Sequence, residues 1–168
     1  FIKGDLKIVD RDLDGDNDII YTGEDKYGNA VGSTIYNSYI IAENSNSYTP
    51  GLKNAAIEVA KMSSESDNIS VLSSGEDNDN TIKLYLDGQD IGSNYDVFPL
   101  LKKGDIAIAD FNNDGKNDIL FTGENQSGVP VTKLLKQALE DPRAYNENYS
   151  FVDSGIELKG LRSSTANW

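Results

Sequence analysis

The chain has 168 residues, with 15 basic against 28 acidic side chains and a formal charge of −13, long enough for one domain with a real core. That charge excludes a basic, phosphate-binding face, and with it nucleic acid and anionic membrane surfaces, and makes divalent cations natural partners. With no Cys and no His, disulfide frameworks, ordinary zinc sites and Ser-His-Asp catalysis are excluded, and no apolar run approaches the roughly 20 residues of a membrane span.

The opening "FIKGDLKIVD" already reads as mature domain, so any export signal would lie upstream of it. It runs as a strand into "DRDLDGDNDII". Asp10, Asp12, Asp14, Asp16 and Asp18 there occupy alternate positions of a loop. An apolar strand and "TGE" follow, then a polar turn, a strand-like run "STIYNSYII" and an aromatic-led segment "SYTPGL". The same order returns at residues 56–77 in a worn copy, "AIEVAKMSSESDNISVLSSGED", followed by "TIKLYLDG" and "NYDVFPLL". It returns again from residue 101, followed by "VTKLLKQ" and "NYSFVDSGIEL".

Aligned without a gap, residues 1–25 and 101–125 are identical at 13 positions. The two segments are copies of one unit, with a period of about 50 residues and one residue inserted in the middle copy. The units run over approximately 1–52, 53–101 and 102–158, and 159–168 resembles the start of a fourth. Each reads as about four short strands between Gly/Asn/Asp/Ser turns. "VTKLLKQALEDPRAY" also carries helix-like spacing; Val131–Lys136 is read as strand, with a short helical turn expected before Pro142. The expected fold is therefore all-β, built from three four-stranded antiparallel repeats.

The acidic loops point to calcium. Asp10, Asp12, Asp14, the Asp16 carbonyl and Asp18 fall at positions 1, 3, 5, 7 and 9, with Gly15 at the tight reversal. Alternate oxygens wrapping inward suit a hard cation that takes six to eight of them, and without the ion crowded carboxylates repel one another. In the last copy the matching ligands are Asp110, Asn112, Asp114, the Lys116 carbonyl and Asp118, giving two expected Ca2+ sites. An EF-hand would need helical flanks and a Glu at position 12; position 12 is Tyr21 or Phe121, and the flanks are β-type. The middle copy has Lys61, Ser63 and Glu65 at ligand positions, with Ser70 opposite Asp118. No calcium is expected there, the Lys61 ammonium standing in for the cation.

"GDIAIADFNNDGKNDILFTGENQSGVPVTKLL" resembles the VCBS/FG-GAP repeat of integrin α-chain heads and many bacterial secreted proteins. The resemblance spans essentially the whole chain and departs at every metal ligand of the middle copy. It implies a calcium-binding β-propeller, usually of seven blades, with the ions in loops between the first two strands of a blade. Three units are too few to close a propeller, so the remaining blades would come from the same or another chain. The function implied is a secreted or cell-surface module, bacterial in character, serving adhesion, ligand binding or assembly, with another protein or a surface glycan as partner and no catalytic residues of its own. The alternative is part of a calcium-dependent polysaccharide-lyase-like enzyme, with Arg143, Tyr145 and Arg162 as the candidates in its least repetitive region. "KGD" at 3–5 and 103–105 occupies the same place in both units and is read as part of the fold.

Overall fold

The computed structural model describes residues 2–36, 39–40, 49–62, 67–93, 96–138 and 151–160. Those residues are all-β, with no helix among them. The first sheet is β1 (Ile2–Val9), β2 (Asp18–Glu24), β3 (Ala30–Tyr36) and β4 (Tyr39–Ile40), in chain order. The second is β5 (Lys53–Lys61), β6 (Ile69–Glu76), β7 (Ile82–Leu86) and β8 (Gln89–Asp90). The third is β9 (Lys102–Ala109), β10 (Asp118–Glu124), β11 (Pro130–Gln137) and β12 (Phe151–Asp153). Each is an antiparallel meander.

The sheets share a register. Ile8 pairs with Ile19, Val59 with Val71 and Ile108 with Ile119. Each first strand carries a bulge at one left-handed residue, Lys3 (φ 50), Asn54 (φ 49) or Lys103 (φ 52). Next to it the strands come very close: a Cβ on Gly104 would lie 1.7 Å from the Thr122 carbonyl oxygen, which is why a glycine stands there. The β2–β3, β6–β7 and β10–β11 turns are also one design. The side-chain oxygen of Asp25, Asp77 or Asn125 accepts two backbone N–H groups of its own turn, as Asx residues do in turns.

Two expectations need correction or placing. The fourth strands of the first two sheets are not the aromatic-led segments. Tyr39–Ile40 and Gln89–Asp90 fold back close behind the third strand, the latter through left-handed Asp87 (φ 48) and Gly88 (φ 79). Among the described residues only Phe151–Asp153 is a strand in an aromatic-led segment. In the second unit Phe98 packs instead of pairing, with its ring 6.4 Å from Phe121 and 5.8 Å from Phe151. The strand expected at Val131–Lys136 is present as Pro130–Gln137, while the helical turn before Pro142 lies outside the described residues.

Neighbouring sheets pack face against face. Ile20 of the first meets Ile57 and Val71 of the second in a buried cluster flanked by Val9 and Val59. Leu72, Leu84 and Leu86 of the second share a larger cluster with Ile106, Ile119, Phe121 and Leu135 of the third. In the first two units the hydroxyl before Gly-Glu stitches its sheet to the segment leading into the next. Thr22 Oγ1 accepts from Leu52 N at 2.7 Å and donates to the Pro50 carbonyl, and Ser74 Oγ donates to the Leu101 carbonyl at 2.6 Å. Asp5 of the first "KGD" accepts from Ile57 N at 2.9 Å, a fold role.

Candidate metal centre

The two full acidic loops link the first two strands of their sheets and share one backbone. Asp10 accepts from Asp14 N and Gly15 N at 3.1 and 3.0 Å; Asp110 accepts from Asp114 N and Gly115 N at 3.0 and 2.8 Å. Asp14 Oδ1 accepts from Asp16 N, and Asp114 Oδ1 from Lys116 N, each at 3.0 Å. Leu13 (φ 61) and Asn113 (φ 59) are left-handed, as are Gly15 (φ 100) and Gly115 (φ 84). These bonds fix the backbone of each loop on its own side-chain oxygens.

In the first loop Asp10, Asp12 and Asp18 each bring a carboxylate oxygen within 4.8 Å of the other two. Asp14 stands outside that trio, and Asp16, expected to act through its carbonyl, lends its N–H to the Asp14 carboxylate. Desolvation, then the charges of Asp14 and Asp18, raise the Asp12 carboxyl above its usual 3.8. Asp18 starts β2 and is fully buried. Its Oδ2 accepts from Arg11 N at 2.9 Å, but its Oδ1 is buried with no hydrogen-bond partner among the described residues. A buried carboxylate oxygen without a donor is costly unless a cation supplies the missing charge.

The second loop treats the equivalent residue differently. Asp118 is also fully buried, with Oδ2 accepting from Phe111 N at 3.1 Å, but its Oδ1 accepts from Gln137 N at 3.1 Å. Asn112 Oδ1 accepts from Asp114 N at 2.9 Å, and its amide donates to Asp114 Oδ2 at 3.0 Å. Fewer charges face one another here, and side-chain amide and backbone donors neutralise part of what remains.

In the middle unit, Lys61 Nζ reaches Asp67 Oδ1 at 2.6 Å and holds that carboxyl below its usual range. An ammonium thus stands where the other loops have Asp10 and Asp110 at the first position. Ser63 and Glu65 lie outside the described residues, as do Arg143, Tyr145 and Arg162.

Arg11 was not singled out from the sequence. Its backbone N–H binds Asp18, while its guanidinium reaches Tyr36 Oη and, at 3.2 Å, Asp87 Oδ1 of the second sheet. It ties the first loop to the neighbouring unit. The available signal was the swing at this repeat position from Arg11 to Met62 to Phe111, the pattern of a residue whose partner lies in another unit.

No family model matches the chain, and neither curated proteins nor solved structures give a match.

Proposed function

We propose that the chain is a calcium-stabilised propeller module of the VCBS/FG-GAP type, belonging to a secreted or cell-surface bacterial protein, and that it presents a rigid surface for adhesion, ligand binding or assembly with another protein or a surface glycan. The observation that carries the calcium reading is the buried, unpartnered Oδ1 of Asp18 beside the Asp10 and Asp12 carboxylates. The donor set is all oxygen, which suits calcium or magnesium and not zinc or copper. Flexible spacing with many potential ligands favours the larger ion, since magnesium demands near-octahedral geometry and keeps its waters. Asp10, Asp12, Asp14, the Asp16 carbonyl and Asp18 would hold the first ion, and Asp110, Asn112, Asp114, the Lys116 carbonyl and Asp118 the second. The propeller reading draws support from three meanders in one register packed face against face in chain order. The ion would act structurally, fixing a hairpin whose charges otherwise repel.

A thermal melt in calcium and in chelator tests this. Calcium should raise the melting temperature, and magnesium at equal concentration should raise it less. A melt that chelator leaves unmoved overturns the proposal.

A further inference from the structure

Arg11 touches every carboxylate gathered in the first loop. It stands between Asp10 and Asp12 in the chain, and its backbone N–H donates to Asp18 Oδ2 at 2.9 Å. Each member of the Asp10, Asp12 and Asp18 trio is therefore one peptide or one hydrogen bond away from it. Residues 12–17 are exposed, so packing does little to fix where these carboxylates stand.

The Arg11 side chain leaves the loop for firmer ground. Its guanidinium donates to Tyr36 Oη on β3 and, at 3.2 Å, to Asp87 Oδ1 of the second unit. Asp87 is itself anchored. The same Oδ1 accepts from Val71 N at 2.9 Å, and the Asp87 N–H donates to the Val71 carbonyl at 2.9 Å. Val71 packs in the buried cluster with Ile57 and Ile20, and Ile20 follows Asp18 on β2. Bonded and packed groups thus run from the loop through Arg11 and Asp87 to β6, and back through Ile20 to Asp18.

The junction of the second and third units lacks this connection. Met62 and Leu135 hold the equivalent positions there, and both lie in one buried apolar cluster. The loop before that junction has Lys61 at its first ligand position. The charged clamp therefore stands beside the loop with the orphan carboxylate oxygen, and plain apolar packing beside the loop that opens with an ammonium.

We propose that Arg11 is a positioning residue of the first calcium site, coupling ion binding there to the docking of the second unit on the first. The inference rests on the calcium reading of that loop. Arg11 offers the ion no side-chain ligand; it acts by fixing the three carboxylates against Asp87. Such coupling is reciprocal. If calcium favours the Arg11–Asp87 pair by holding the loop peptide in place, the pair favours calcium by the same factor. Charge alone predicts the opposite sign: a guanidinium beside a cation site repels the ion, and removing it would tighten binding.

The test is a calorimetric calcium titration of the folded chain, with the second site of the same molecule as reference. Arg11→Met should weaken the first site about tenfold, within the 5–150-fold range typical of coupled sites, and leave the second unchanged. Arg11→Lys keeps the charge but loses the planar fork that reaches Tyr36 and Asp87 together. It should also weaken the first site, and it decides the matter if Arg11→Met fails to fold. Asp87→Asn should weaken that site as well, and the double variant Arg11→Met/Asp87→Asn should be no weaker than Arg11→Met alone. Denaturant melts of the same four chains give a second readout: the Arg11–Asp87 interaction from the cycle should be larger in calcium than in chelator. Calcium binding that Arg11→Met leaves unchanged or tightens overturns the inference while the calcium reading stands, as does an interaction equal in both buffers. No saturable binding by the wild type overturns the calcium reading and this inference with it.

Discussion

The loops at residues 10–18 and 110–118 hold the same backbone by the same hydrogen bonds, yet they solve the problem of a buried carboxylate in different ways. Asp118 receives two backbone donors, from Phe111 and Gln137. Asp18 receives one, from Arg11, and leaves its second oxygen facing Asp10 and Asp12. One buried carboxylate is met by protein donors; on the proposed reading the other is met by a cation. Five carboxylates against three in the same span point the same way, because ligand charge tunes calcium affinity.

The sharpest way to break this comparison is to neutralise the two aspartates in turn. Asp18→Asn should remove the calcium-linked stabilisation of the first loop, about 2.7 kcal/mol at a hundredfold excess over Kd. In chelator it should cost little, since the amide oxygen can keep the Arg11 N–H while the NH2 replaces the orphan oxygen. Asp118→Asn should cost about 1–3 kcal/mol even in chelator, because its NH2 must face one of two backbone donors, and more in calcium, because Asp118 is also a proposed ligand of the second ion. Denaturant melts of both variants in both buffers decide; equal behaviour would remove the distinction between the loops.

Arg11 carries the next effect. Arg11→Met should destabilise by about 1–3 kcal/mol, since its side chain is only 9% exposed and its charge pairs with Asp87 across the first junction. Phe111→Met, at the same position of the third unit, should change the melt of the isolated chain little.

Acid sharpens the comparison further. The Asp12 carboxyl of the metal-free loop sits above its usual 3.8, and a bound cation must displace that proton. Calcium affinity of the first loop should therefore fall as pH drops through this raised pKa, and Asp12→Asn should remove that part of the pH dependence. At Glu76, burial raises the pKa, but hydrogen bonds from Lys102 and Asn54 outweigh it and hold the carboxyl below 4.5. A depressed carboxylate stabilises above its unfolded pKa and loses that contribution as pH falls through the folded one. The junction of the second and third units should thus weaken below about pH 4 even in chelator, and Glu76→Gln should flatten that limb of the pH–stability curve.

The smallest effect belongs to the middle loop. Asp67 is 84% exposed, so solvent screens its pair with Lys61 and Asp67→Asn should leave the melt nearly unmoved. Asp67→Asn should show no calcium dependence of its own.

Most of the sheet framework was legible because the repeat is legible. Shared identities such as Gly104, Thr122 and Gly123 mark the bulge and the close strand approach, and alternation marks the strands. The acidic hairpins were legible because ligand spacing is local. The fourth strands were not, because Tyr39–Ile40 and Gln89–Asp90 are two residues long and carry no period to read. The difference between Asp18 and Asp118 was invisible too. Both residues sit in the same motif, "NDI", and only the donors placed around Asp118 tell them apart. Arg11 escaped because its partner, Asp87, is 76 residues away.

The most direct measurement is a calorimetric calcium titration of the wild-type chain beside Asp18→Asn. The account predicts two calcium ions per chain, the tighter one vanishing in the variant while the weaker one remains. No saturable binding, or a tight site that survives Asp18→Asn, would contradict it.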